Sequence, residues 1–292
     1  NTFENNQNSG EVSFKFQINT ILDRVVFENN TFNNQKSSLG GFGGEIDTDL
    51  GSYDLIFLNC KFINNEQTKE GGGFQSNNNL NKAKITFTKC TFSNNKDNRR
   101  KGGAFINTQQ ETIINECTFD ENTATTEGGA IYIDNQKVTI SKCTFSQNKG
   151  STGNAIYVGG SNAQLIIDQE TRFTSNVNEN VDGFQYMIVM KNSEVEMTNI
   201  EFSCPLVNQK QSYPILFETI SPIIKANFQS VKSQDTSLLV VPSTSSTSLN
   251  LLSFLNCQAK DYIIQNSNPN FELTDSIIQY DQYADNTFGG IK

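Results

Sequence analysis

The chain contains no histidine and no tryptophan, and only four arginines: Arg24, Arg99, Arg100 and Arg172. Without imidazole there is no Ser–His or Cys–His nucleophile pair and no histidine metal site. Positive charge is short as well. Twenty-two Lys and Arg against 31 Asp and Glu leave a net charge of −9. A phosphate-binding surface needs a basic footprint, so nucleic acid is not an expected partner, nor is an anionic membrane surface. The longest apolar run, residues 186–190, is far below the roughly 18 to 20 residues of a membrane span. No Cys-x-x-Cys pair suggests a metal site, and no cofactor is expected. The first residues do not read as a signal peptide.

Asparagine and repetition are what the chain has in quantity. There are 39 Asn in 292 residues. Segments 55–62, 85–92, 112–119 and 138–145 follow one template, exemplified by Val138-Thr-Ile-Ser-Lys-Cys-Thr-Phe145: apolar, x, apolar, x, x, Cys, x, Phe. Only Thr112 departs from it, at the first place. With the closing residue taken as an anchor, anchors are read at 3, 32, 62, 92, 119, 145, 173, 202, 228, 259 and 278. They are 26 to 31 residues apart except for the last step of 19, and around Phe173 the pattern slips by one residue. Asn recurs three residues past the anchor at Asn6, Asn65, Asn95, Asn122, Asn148 and Asn176. Between anchors, glycines precede short apolar runs, as at Gly102-Gly103-Ala104 and Gly128-Gly129-Ala130.

Alternation of apolar residues is the period of a half-buried strand, and no window carries a helical stripe. A self-similar period of this length means a solenoid. The expected fold is all-β: a single-stranded right-handed parallel β-helix of about ten coils, with equivalent residues stacked at roughly 4.8 Å. Phe32, Phe62, Phe92, Phe119, Phe145, Phe173, Phe202 and Phe228 should then form an inward aromatic column. Asn65, Asn95, Asn122, Asn148 and Asn176 should turn a corner in a left-handed backbone, their amides hydrogen-bonding along the axis. The Gly pairs should supply dihedrals that other residues resist.

These motifs carry a resemblance. Cys143-Thr-Phe-Ser-Gln-Asn148, with Gly128-Gly-Ala-Ile131 one coil earlier, resembles the paired Phe-x-x-Asn and Gly-Gly-Ala-Ile repeats of the polymorphic outer-membrane protein family and its relatives in the pectin-lyase-like superfamily. The likeness is good over residues 55–160 and weakens to 204. It implies a β-helix exposed at a surface and often adhesive. The membrane barrel that bacterial members carry has no counterpart in this sequence.

A single domain over 1–292 is expected, with regular Gly–Gly repeats in 1–204 and divergent Pro-containing coils in 205–292; all five prolines lie at or after Pro205. Neither end reads as a cap, so the chain is expected to be a segment of a longer polypeptide, or a piece that self-associates or stacks end to end. Cys60, Cys90, Cys117 and Cys143 share one repeat position. Disulfides Cys60–Cys90 and Cys117–Cys143 are open, but stacked Cβ atoms stand a little wide for them, so buried thiols are the favoured reading. One N-glycosylation acceptor occurs, Asn29-Asn30-Thr31.

Catalysis on this scaffold would call for carboxylates from consecutive coils. Asp47 with Asp49 and Asp54 is the best residual cluster, and Asp120/Glu121 and Asp281/Asp285 are weaker. None is matched at the same position of the next coil. Arg99, Arg100 and Lys101 read as a solvated charge run. The Thr row one residue before the anchor (Thr2, Thr31, Thr91, Thr118, Thr144) suggests ice binding, but Lys61 interrupts it and Arg172, Glu201 and Asn227 end it. The reading that follows is a non-enzymatic extracellular β-helix, a rod, coat or adhesive stalk, with protein copies or a glycan as partner. A polysaccharide lyase or glycoside hydrolase is the alternative.

Overall fold

The computed structural model describes residues 24–37, 54–67, 71–76, 84–107, 111–160, 162–182, 185–191, 194–204 and 212–217, with shorter strand segments on either side. Every strand pairing among them is parallel. The chain winds as a right-handed β-solenoid, with about five complete turns in its fully described part in place of the ten expected. Each turn repeats one plan. In the coil beginning at residue 111, a five-residue strand (Glu111–Asn115) bends into a three-residue strand (Thr118–Asp120), then a two-residue strand (Thr123–Ala124), a Gly-Gly loop and a buried strand (Ile131–Asp134).

Two corners per coil are left-handed, and they fall at fixed places. One lies three residues before the anchor, at Asn29, Asn59, Lys89, Glu116, Lys142 and Asn199; the other two residues after it, at Asn34, Asn64, Asn94, Glu121, Gln147 and Ser175. This corrects the expectation for Asn65 and its equivalents. They follow the left-handed residue and do not occupy it. Among the described residues, Asn still fills seven of the fifteen positive-φ non-glycine positions, as its short polar side chain permits.

The glycines divide their work. Gly128 has φ +66, a conformation that L side chains resist. Gly129 is needed for space: a Cβ there would stand 2.1 Å from the Asn154 carbonyl oxygen of the next coil.

Inside, the anchor rings stand in file. Phe32, Phe62, Phe92, Phe119, Phe145, Phe173 and Phe202 stack with centroids 4.7–5.0 Å apart and planes within 18°. That spacing in near-parallel planes is an offset stack. A second column, Phe27–Phe57–Phe87, comes from the fourth residue of the five-residue strands. It meets the first edge-on, as in Phe87–Phe92 at 5.3 Å and 76°.

Two registers differ from the sequence reading. Phe228 pairs with Met197, while Ser233 pairs with Phe202. Phe228 therefore belongs to the second column's position, and Ser233 holds the anchor place. Ile278 pairs with Phe254 and is likewise not an anchor. Each slipped segment contains an apolar residue at the right spacing to imitate an anchor, so alternation alone chose wrongly. The slip near Phe173 is a real insertion. Gln169 and Glu170 are both left-handed where other coils have one such residue, and Thr171 keeps the inward Cys place.

The 19-stranded sheet runs unbroken across residue 204. Asn6, Asp49, Asp281, Asp285 and both chain ends beyond the strand segments lie outside the described residues.

The stack makes one position decisive. Phe92 is fully buried between Phe62 and Phe119. Phe92→Ala should destabilise the chain by about 3 to 5 kcal/mol, read by chemical denaturation. A loss similar to that of an exposed Phe→Ala change would contradict the column.

Candidate functional site

The most ordered polar feature is internal. Asn65, Asn95, Asn122, Asn148 and Asn176 are each fully buried. Their amides form one chain: Nδ2 of each of the first four donates to Oδ1 of the next at 2.9–3.0 Å. The second Nδ2 proton goes to the anchor carbonyl of the coil before, as from Asn122 to Phe92 O at 3.0 Å. Oδ1 also accepts the backbone N–H one coil back, as Asn122 does from Asn95 at 3.1 Å. Both donors and both acceptor directions of Asn122 are thereby used. A buried primary amide is tolerated on this condition. Gln35 takes the same place in the coil of Phe32. At the other end, the residue three past Phe202 is Pro205, which has no side-chain amide.

Where the column stops, a polar knot takes over. Asn154 replaces the second glycine of its loop, and its Nδ2 donates to Asn176 O and Gln185 Oε1, both at 3.0 Å. Gln185 Nε2 donates to Asn178 O, and Asn178 Nδ2 to Gly150 O. Residues 177–182 lack the two-residue strand that an earlier coil has at Thr123–Ala124, and a shallow groove of about 260 Å³ lies beside them. Ser146, Gln147, Lys149, Thr174, Ser175, Val177 and Glu179 line it, with Lys149 and Glu179 3.9 Å apart at its edge. Hydroxyls, amides and one ion pair suit a polar, neutral ligand bound by hydrogen bonds.

The cysteines form the next inward row. Cys60, Cys90, Cys117 and Cys143 are buried thiols, followed by Thr171 and Ile200. Each sulfur is held by the backbone: Cys143 Sγ accepts from Cys117 N at 3.3 Å and donates to Ser141 O at 3.1 Å. The hydrogen bond with Cys117 and burial push the Cys90 thiol up to about 12. The Cys60 thiol lies far above its usual range, chiefly through its hydrogen bond with Cys90, then burial. Thiolate, the reactive form, is thus suppressed. Cys204 is a buried thiol as well, while the side chain of Cys257 is outside the described set.

Among the described residues no three carboxylates come together, and Asp49, Asp281 and Asp285 lie outside them. Asp54 is exposed at the start of its strand, Asp47 ends a two-stranded ladder, and Asp120 accepts from Ser146 Oγ at 2.6 Å. A pair that the sequence reading missed lies elsewhere. Asp168 has its carboxyl raised above the usual range, by burial first and by Glu196 of the next coil second. They are 28 residues apart and displaced by two places in register. The two-residue corner at Gln169 and Glu170 directly follows Asp168.

Two surface readings are also revised. Arg99 and Arg100 are exposed, but their backbone N–H groups both donate to buried Asp97. Lys101 is not part of a solvated run: its ammonium reaches Glu127 and Tyr132 Oη, both at 2.8 Å. Asn227 pairs with Glu196 and is not the continuation of the Thr row, whose next place is held by Lys232. Asn29 of the glycosylation sequence is an exposed corner residue whose Oδ1 accepts from Asn59 at 2.7 Å.

Residues 116–134 match the Chlamydia polymorphic membrane protein repeat. No curated protein and no solved structure matches the chain. The matched stretch covers less than one coil. It contains Phe119 of the spine, Asn122 of the amide column and the Gly128–Gly129 pair.

Two expectations follow. Asn122→Asp places a carboxylate oxygen where two donors are required, so the folded state favours the protonated acid. Its folded pKa rises above the unfolded value of about 3.9, and stability falls as pH climbs through and above that value. Unfolding midpoints measured from pH 3 to 7 should decline relative to the wild type; a flat difference would contradict the hydrogen-bond assignment. For the thiols of Cys60, Cys90 and Cys117, the folded chain holds protons that the unfolded chain releases above about pH 8.5. Stability should therefore drop between that pH and about 12, the raised Cys90 value. Iodoacetamide should label Cys60, Cys90, Cys117 and Cys143 only after denaturation, read by peptide mass mapping.

Proposed function

We propose that the chain is a non-enzymatic extracellular β-helix that works at a surface as a rod, coat or adhesive stalk. The observation that carries this reading is the division of labour within the repeat. Its recurrent residues, Phe119, Asn122, Gly128 and Gly129, are all committed to packing. The outward rows vary from coil to coil, as Thr31, Lys61, Thr91, Thr118, Thr144, Arg172 and Glu201 do along one ladder. A scaffold with a fixed interior and a free exterior suits contact over area more than chemistry at a point. The match to a repeat named for a membrane protein of Chlamydia supports a surface location. The hydroxyl-lined groove beside Lys149 and Glu179 is the place for a neutral glycan.

The alternative, a polysaccharide lyase or glycoside hydrolase of the pectin-lyase-like kind, has one observation in its favour. Asp168 and Glu196 set a raised carboxyl near a second carboxylate on consecutive coils, the arrangement that acid–base work on a sugar requires.

A depolymerisation assay on acidic and neutral polysaccharides, with and without calcium, separates the two. The expected result is no release of reducing ends, with retained binding to immobilised glycan or cell surfaces that Thr174→Ala and Lys149→Ala weaken. Turnover abolished by Asp168→Asn or Asp47→Ala would overturn the structural reading.

A further inference from the structure

The five-residue strands present one flat outward face, running from Arg24–Glu28 to Glu194–Thr198. Its middle row is β-branched through six coils: Val26, Ile56, Thr86, Ile113, Thr139 and Ile166. Val26 is 42% exposed and the others are partly exposed. The seventh coil breaks the row with Glu196. Along the entering edge the charge alternates coil by coil, as Arg24, Asp54, Lys84, Glu111 and Lys137. These charges are not used up within the chain: Lys137 and Glu111 stand 3.9 Å apart, each with nearly half of its side chain exposed.

We propose that this face binds a second copy of the chain, antiparallel and face to face, about a two-fold axis along the strands between the coils of Lys84 and Glu111. That rotation reverses coil order and keeps each row opposite itself. Lys84 of one copy then faces Glu111 of the other, and Asp54 faces Lys137. In the middle row Thr86 meets Ile113 and Ile56 meets Thr139, a smaller residue against a larger one each time. The overlap covers the six coils of the β-branched row and ends before Glu196. The like-charged pair that results, Glu28 with Asp168, falls at the two ends of the patch, where solvent screens it. Parallel apposition would keep Arg24 facing Glu28 but set Asp54, Lys84, Glu111 and Lys137 against Leu58, Thr88, Asn115 and Ser141, leaving two complementary pairs in place of four. Six coils at about 4.8 Å and five residues at about 3.3 Å give roughly 500 Å² per copy. The total of about 1,000 Å² is at the lower bound for a specific interface, so the pairing is reversible. The inference stands independently of the adhesive reading.

Sedimentation velocity on the 292-residue chain, from low to high micromolar concentration, should show a monomer–dimer equilibrium. Ile113→Lys and Ile56→Lys together should raise the dissociation constant more than tenfold with an unchanged circular dichroism spectrum. As a second measurement, the Asp54→Cys/Lys137→Cys chain should give a covalent dimer with a short bismaleimide, while neither single variant cross-links. The two positions are three coils, roughly 14 Å, apart within one chain, and opposite each other across the pair. A wild type that stays monomeric throughout overturns the proposal. So does a dimer that survives both lysines, or a double-cysteine chain that fails to cross-link, since association would then lie elsewhere.

Discussion

A buried primary amide must satisfy all four of its hydrogen-bonding directions or destabilise the fold, and in this chain the coils on either side supply the partners. Asn122 reaches Asn148 and Asn95 through its side chain, and Phe92 through its carbonyl. No bond of this set is local in sequence; each spans a full turn. The column therefore couples coil to coil at a single height and a single rotation. A one-residue slip would leave several buried donors and acceptors unmet at once, which is far more costly than a poorer apolar contact. The phenylalanine stack supplies apolar burial beside it, but rings tolerate sliding. The amides give the rings their file.

This explains why coil length can vary while register does not. The anchors of the confirmed column are separated by 26 to 30 residues, yet Phe92, Phe119 and Phe145 remain directly paired. Differences in length are absorbed between the fixed corners and loops, as the second left-handed residue at Glu170 absorbs one. The surface is released from the same constraint. Outward rows carry lysine, glutamate, threonine and isoleucine in successive coils without disturbing the interior, and their order sets what the face can meet.

Much of the fold was legible because its periodic residues are the ones that carry it. Phe62, Phe92, Phe119 and Phe145 recur with Cys two places earlier and Asn three places later, and inward stacking is the only arrangement that uses all three. The reading failed where a residue type was asked to reveal register. Phe228 and Ile278 sit in apolar alternation that fits two frames, and only the pairing with Met197 and Phe254 decides between them. The left-handed corners were displaced by one, since the exposed corner is filled by Asn, Glu, Gln or Ser and shows no single signature. The groove beside Lys149 and the proximity of Asp168 to Glu196 were hidden for a different reason. Both arise at departures from the repeat, the missing two-residue strand after Asn176 and the two-residue corner at Gln169, where the period says nothing about neighbours.

The most direct measurement is hydrogen exchange of the side-chain amides of Asn95, Asn122 and Asn148, followed by NMR in the folded chain. The account requires these protons to exchange as slowly as the backbone amides of the adjoining strands, because each is donated to a buried acceptor. Exchange at the rate of an exposed asparagine such as Asn162 would mean that the amides do not bridge the coils, and the column would no longer explain the fold.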